Sequence, residues 1–548
     1  MGDRKLAGWA DSRGNSMRQF LIKIENIKQH VLTSTVLMAI VVLTATVFPR
    51  VMLIGGFPAT DEGIYAYQGQ LIHASLSAGK GLPGVGGLAL YPMLLSWVFG
   101  LTINHLVMLR LADMIVAVAA SCLLYRVIER ESGSLVGGAL ISLVALFTMN
   151  QEIFIQCGFK NSMFAAYVPL FLALRLGQDR ASETRSTWVL IGTLAALAVL
   201  LRETFFYFMI IGGLAVWMAH GWRACLRFTL GAAVAGLLVT LGIAVARGGI
   251  ANLIDSYRAA GSIYAASADR RLQLFIYSGT LSLKEAAVAL VLGGLGIIAI
   301  VAGFFARNRS VSPKRFAFWV SVTLVPLLEP ASKIGYPYHF AVCLPGIAGL
   351  TALGWKSLAV DGSRSLKLRF ATIAAIAGVL ILLPKFASLT DDWPDTLDVL
   401  QNAGTGSWPA DLTEWSNYLL AAEAISKAAP PNGTLSVSGF MYTLYPLTGL
   451  LPPSKDLSNL TVTLAVICNL DSVCFKHALL ACPPDVLMTT TRNVWPGREI
   501  LTKVVEDSGL YEQVENIPET DDKSYGDFGG VVYKKIKQVQ DRGKFVCA

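Results

Sequence analysis

Long apolar blocks constrain this chain more than any other feature. A segment of about 17 to 25 predominantly apolar residues is the length that crosses a bilayer as a helix, because inside lipid the backbone must satisfy its own hydrogen bonds. Eleven apolar blocks of 13 to 24 residues run along the sequence, at 31–54, 105–125, 135–149, 162–176, 188–201, 205–219, 228–246, 286–306, 316–328, 339–355 and 370–386. Hydrophobic residues make up 54% and charged residues only 15% of the 548, with a mean hydropathy of +0.55. Soluble domains sit near 45 to 50% apolar and about 25% charged, so a soluble enzyme is excluded. The 50 glycines and 22 prolines follow no period, which excludes a fibrous chain.

Loop charge sets the expected topology. Lys+Arg 45 against Asp+Glu 37 leaves +8, an excess that reads first as membrane orientation; no nucleic-acid motif accompanies it. Arg126 and Arg130, Arg175 to Arg185, Arg223 and Arg227, Arg307 to Arg315, and Lys356 to Arg369 all fall on the side of the basic N-terminus. The expected organisation is a cytoplasmic tail (1–30), a membrane domain (31–386) with long outer loops at 55–104 and 247–284, and an extracytoplasmic α/β domain (387–548). Within the first outer loop, 66–76 and 88–98 read as short helices on the membrane surface. In the last domain, 435–440, 486–490 and 531–534 read as strands and 498–508 as an amphipathic helix. Cys122, Cys225 and Cys343 lie in apolar blocks and read as core, whereas Cys468, Cys474 and Cys482 cluster in polar sequence, where an oxidising compartment would pair two of the three.

The densest polar signal is Thr60-Asp61-Glu62-Gly63-Ile64-Tyr65, just after the first block. Two adjacent carboxylates here are either a helix N-terminus, where Thr and Asp cap well, or a base beside a cavity. Arg202-Glu203-Thr204 sits between two blocks with almost no loop; pairing of Arg202 with Glu203 or Glu152 is the structural reading, a substrate role the other. Arg270-Arg271 suits phosphate geometry or an interfacial lipid anchor. Arg110 and Asp113 stand one helical turn apart, so mutual pairing is expected. Lys80 and Lys160 are loop lysines on the outer side, and His339 closes Tyr336-Pro337-Tyr338-His339-Phe340 at the outer end of a block. No nucleotide fingerprint is present.

Asp61-Glu62-Gly63-Ile64-Tyr65 closing the first span resembles the first-loop motif of the GT-C glycosyltransferases, in the protein-mannosyltransferase and aminoarabinose-transferase branch. The order continues with Tyr91-Pro92-Met93-Leu94-Leu95-Ser96-Trp97, Arg110-Leu111, Tyr336 to Phe340 with Leu344-Pro345, and 439–453 with Tyr445 and Pro452. The resemblance covers most of the chain. It implies an α-helical polytopic membrane protein of about eleven spans with an extracytoplasmic α/β domain, in a bacterial inner membrane. It also implies transfer of a sugar from a polyprenyl-phosphate carrier to an acceptor hydroxyl of a glycan, lipid or protein. Asp61 would be the general base, Glu62 would orient it or the acceptor, and Tyr65, Lys80, Lys160, Arg202, Glu203, Arg270, Arg271, Tyr336, Tyr338 and His339 would line the substrates. No cofactor is implied, and a metal is not indicated, since no His or further Asp in the loop completes an oxygen-rich site. The chain departs from the branch at Leu90-Tyr91-Pro92-Met93, where a basic residue before a Pro-Pro pair is absent. The rival reading is a transporter or lipid flippase; the separate C-terminal domain and the lack of internal repeats speak against it.

Overall fold

The computed structural model describes residues 29–56, 60–84, 90–155, 163–178, 185–265, 271–305, 311–332, 336–360, 393–402, 416–439, 441–454, 457–490, 497–518 and 529–537, with 25, 87 and 88. Among the described residues, six helices are long and apolar enough to cross a membrane: Gln29–Met52, His105–Ser132, Glu203–His220, Trp222–Ala246, Ala287–Phe305 and Pro337–Leu358. The blocks at 135–149, 162–176 and 188–201 form the shorter apolar helices Leu135–Met149, Met163–Gln178 and Arg185–Leu201. The ninth block is broken. Its helix Pro313–Leu324 gives way to a 3-10 turn at Val325–Leu327 and a short helix Leu328–Ser332, because Pro326 and Pro330 each remove a backbone donor. The eleventh block, 370–386, lies outside the described residues.

Local chemistry places the helix ends. Asn104 caps the His105–Ser132 helix by accepting from Val107 N at 3.2 Å, and Gly133, left-handed at φ +62°, ends it. Ser134 then caps the next helix through Gly137 N at 3.1 Å, so two residues reverse the chain. In the bundle, a Cβ at Gly192 would run into the Phe228 carbonyl and one at Gly231 into that of Val189. Small residues let these two helices approach closely, as membrane helices do where no hydrophobic force drives them together. Outward faces stay apolar: Leu226, Leu230, Leu237, Leu238 and Val245 of the Trp222–Ala246 helix are all exposed, a face that suits lipid.

The C-terminal part carries a four-stranded sheet in the order β1-β2-β4-β3. β1 (Leu435–Val437) runs parallel to β2 (Val486–Thr490); β4 (Gly530–Lys535) is antiparallel to β2 and to β3 (Tyr511–Ile517). β1 is shorter than the expected 435–440. β3 escaped the sequence reading because it is an edge strand whose middle five residues are exposed, so it lacks the period-2 apolar pattern. The expected amphipathic helix forms over Arg498–Asp507. Cys468 and Cys474 form a disulfide with Cα atoms 5.5 Å apart, and Cys482 is disulfide-bonded as well; Cys122, Cys225 and Cys343 are free.

The two parts meet over the first loop. Its 66–76 segment is the middle of a longer helix, Thr60–Ser77, and 88–98 falls on the short helix Leu90–Leu95 and the 3-10 turn Ser96–Gly100. The Thr60–Ser77 helix is wedged between bundle and C-terminal domain. Tyr67 packs on Tyr442 and Tyr445, with ring centroids 5.3 and 4.6 Å away, while Ala66 belongs to the core formed with Tyr91, Leu95, Leu106 and Leu109.

Candidate active site

The wedge helix is fixed at its start by a buried ion pair. Arg110 donates from Nε to Glu62 Oε1 and from Nη2 to Glu62 Oε2, both at 2.7 Å, the fork-on-fork geometry that makes Arg–carboxylate pairs directional. Its third nitrogen donates to the carbonyls of Ile54 and, at 2.8 Å, Gly56. Arg110 therefore ties the turn leaving the first span to the first turn of the next helix. Asp113, the expected partner of Arg110, instead accepts from Arg50 at 2.6 Å and from the Tyr91 hydroxyl. Arg50 also donates to Asn150 at 2.7 Å and lies over the Phe164 ring, 4.5 Å from its centroid. The i,i+3 pairing is overturned because each side chain reaches a different element across the bundle, where both pairs are buried.

Successive faces of the wedge helix do different things. Gly63, Tyr67 and Gln70 face the C-terminal domain: a Cβ on Gly63 would stand 2.7 Å from Thr443 N, and Gln70 Nε2 donates to the Leu450 carbonyl at 3.2 Å. Asp61 and Tyr65 are four residues apart, so their positions share another face. Tyr65 and Tyr338 both interact electrostatically with Arg202. Arg202 Nη2 donates to Glu329 Oε1 at 2.8 Å, and His339 Nε2 lies 3.9 Å from the same oxygen. Tyr338 packs on His339 with ring centroids 4.1 Å apart and stacks parallel to Tyr336 at 5.9 Å.

Five expected residues from three separate segments, Tyr65, Arg202, Tyr336, Tyr338 and His339, thus come together. Glu329, which orders them, was not expected; the signal was a lone carboxylate at the end of an apolar block, a position where charge is costly unless used. The expected pairing of Arg202 with Glu203 or Glu152 does not form. Glu203 accepts instead from Leu88 N at 3.2 Å and from the Tyr257 hydroxyl at 3.0 Å, pinning the first loop with help from Arg247, which donates to the Gly87 carbonyl at 2.7 Å.

The remaining expected residues are dispersed. Lys80 is exposed, and its backbone N–H caps the far end of the wedge helix through Ser75 O. At 1.5 Å per residue that end is about 20 Å from Asp61, so Lys80 and Asp61 are not neighbours. Arg271 opens the helix Arg271–Glu285, one turn before Phe275, whose ring lies 5.3 Å from that of Phe340. Lys160 and Arg270 lie outside the described residues, as does Lys333. No group of three or more metal-ligating side chains occurs among the described residues.

These elements make a multi-pass helical membrane protein whose buried charges cluster where the bundle meets a C-terminal α/β domain. No family model and no curated protein matches the chain. Among solved structures it is similar to ArnT from Cupriavidus metallidurans bound to undecaprenyl phosphate, at 11% identity and a TM-score of 0.52 over 90% of this chain and 97% of that one. It is also similar to the Archaeoglobus fulgidus oligosaccharyltransferase in complex with zinc and sulfate, at 11% identity and 0.48 over 84% and 68%. The likeness to the ArnT structure is one of fold.

Proposed function

We propose that the protein is a glycosyltransferase that moves a monosaccharide from a polyprenyl-phosphate carrier to an acceptor hydroxyl at the extracytoplasmic face of a bacterial inner membrane. What carries the reading is a carboxylate position one turn before a tyrosine that interacts with the buried Arg202–Glu329 pair. Asp61 opens the clamped wedge helix, on the face whose next turn presents Tyr65 to Arg202. The ArnT structure, with undecaprenyl phosphate bound, supports the choice of donor through its likeness in fold.

The chemistry follows from these groups. The acceptor hydroxyl attacks the anomeric carbon, the C–O bond to phosphate breaks on the opposite face, and the configuration inverts. Asp61 takes the acceptor proton as the new bond forms, which makes the attacking oxygen more nucleophilic at the moment of need. Glu62 is the positioning residue: held by Arg110, it fixes the backbone that carries Asp61. The leaving phosphate gathers charge as the bond breaks, and Arg202, with the Arg271 helix end nearby, supplies cationic stabilisation. Tyr336, Tyr338 and His339 form the aromatic wall.

The test is transfer of radiolabelled sugar from polyprenyl phosphate into glycan in isolated membranes. Wild-type membranes should transfer and Asp61→Asn membranes should not. A protein that moves the intact lipid across the bilayer without breaking the sugar–phosphate bond would be the transporter of the rival reading.

A further inference from the structure

The sheet of the C-terminal domain has two covered faces. Val486 and Met488 of β2 pack with Tyr67 of the wedge helix, whereas Leu487, between them, points to the opposite face and packs with Cys468 and Phe475. On that opposite face the Cys468–Cys474 disulfide closes a short loop, and Ile467, Leu470 and Val473 in and beside it are exposed, Val473 at 60%. Backbone bonds hold the loop in shape: Cys468 N donates to Thr463 O at 2.9 Å, and Leu470 N to Leu464 O and Asp471 N to Cys468 O, both at 2.8 Å. Asn469 and Leu470 have φ of +48° and +63°. Asn tolerates the left-handed region, but a leucine there is strained. Leu470, resting on Gly497 on one side, is thus both strained and exposed, and such a combination marks a contact surface.

The loop continues a surface already turned to lipid. The Trp222–Ala246 helix keeps its apolar face exposed into its last turn, where Val245 is 78% exposed. Gly248 and Gly249, both at positive φ, then turn the chain into the helix Ile250–Ala265. Leu253 of that helix is buried with Leu88 of the first loop, while Ile250, Ile254 and Tyr257 share a second face and stay exposed. A helix laid on the end of a bundle with an apolar face left open is the pattern of an interfacial helix. The turn Thr463–Ile467, which leads straight into the closed loop, lies against this helix. Charge near the loop suits the same boundary. Lys476 and His477 are exposed one turn after Val473, behind the apolar tip, where a cationic side chain meets phosphates. Asp471, the one acid between the two cysteines, turns its carboxylate back to accept from Val473 N at 2.9 Å.

We propose that the Cys468–Cys474 loop is a membrane-contacting tip, by which the C-terminal domain rests on the lipid surface beside the helix Ile250–Ala265. Ile467, Leu470 and Val473 enter the boundary between headgroups and acyl chains, and Lys476 stays at headgroup depth. The partner is the bilayer itself, because the exposed apolar positions follow one another from the lipid-facing helix Trp222–Ala246, across Ile250–Ala265, to the loop. The wedge helix holds the domain on one face of its sheet, and the tip gives it a second point of support from the other. This contact does not depend on the reaction proposed above.

The experiment uses the full chain in phospholipid nanodiscs, with the photoreactive amino acid p-benzoylphenylalanine in place of Val473, of Ile467 or of Lys427. Lys427 is exposed on the helix Ser416–Ala428, which packs on the other face of the sheet, and serves as the control. After illumination, mass spectrometry of the labelled peptides separates adducts to phospholipid from adducts to protein. Positions 473 and 467 should carry severalfold more lipid adduct than position 427. Both are exposed, so the substitutions leave the core intact, and either one suffices should the other misfold. Lipid adducts at 473 and 467 no more abundant than at 427, or adducts at those positions to a second copy of the chain in place of lipid, would overturn the assignment.

Discussion

Two adjacent carboxylates open the wedge helix, and their proposed roles predict different responses to substitution. Glu62 is fully buried and shares both oxygens with Arg110. Removing one partner of a buried pair leaves the other charge uncompensated, at a cost of about 3 to 5 kcal/mol. Glu62→Gln should therefore lower the melting temperature markedly, and transfer should fall with it. Asp61→Asn should leave melting and donor binding near wild type while abolishing transfer, because only proton acceptance is lost. Wild-type turnover in Asp61→Asn would remove it from the mechanism. Glu329→Gln should weaken donor use more than acceptor use: Arg202 would lose the negative charge of its 2.8 Å partner and be held less firmly, and the readout is a raised KM for the lipid donor against a smaller change for the acceptor.

The wedge helix is held from two sides near its start, by Arg110 of the bundle on Glu62 and by Thr443 of the C-terminal domain against Gly63. Gly63 lies against Thr443, where a side chain has no room on the backbone side; Gly63→Val should unseat the helix from the C-terminal domain and abolish transfer without altering any charged group. Protease sensitivity of the domain junction, raised in the variant, is the check. Tyr67→Ala should cost about 3 kcal/mol, the usual range for deleting a buried ring, since Tyr67 is 5% exposed between Tyr442 and Tyr445. In the sheet, burial works against the Asp485 charge, but Lys535, which donates to it at 2.5 Å, and the Thr434 backbone and hydroxyl outweigh that and hold its carboxyl below the usual range. A carboxyl depressed in the folded state contributes stability that is present above its unfolded pKa of about 3.9 and is lost as pH falls through its folded value. Melting of the protein should thus decline below about pH 4, and Asp485→Asn should melt lower than wild type at pH 7 but lose less on acidification.

At the scale of the whole molecule, the one-sided Arg and Lys loops predict an orientation, with the basic N-terminal side inward. Cysteines introduced at Arg223 and Lys427, both exposed, should behave oppositely toward an impermeant thiol reagent in intact cells: protected at 223 and labelled at 427. Labelling of both would place them on one side and require a different number of spans.

Much of this was legible in the residues themselves. Apolar blocks dictate helices wherever a chain lies in lipid, since no other local structure satisfies the backbone there, and ten of the eleven blocks fall on described helices. Asp61-Glu62 stood out as charge beside an apolar span, but the residues read equally well as a helix cap, and only the resemblance to a glycosyltransferase motif proposed a role in catalysis. Tertiary structure alone decided partnership. Arg110 and Asp113 look like a pair along one helix yet bind Glu62 and Arg50; Arg202 passes over its neighbour Glu203 for Glu329, 127 residues away; and Lys80, close in sequence to the motif, stands at the wrong end of the helix that carries it. Hydropathy and helical period are properties of a few consecutive residues, so a sequence displays them directly. Ion pairing depends on which helices pack side by side, and that is set by the sum of many contacts between segments distant in the chain.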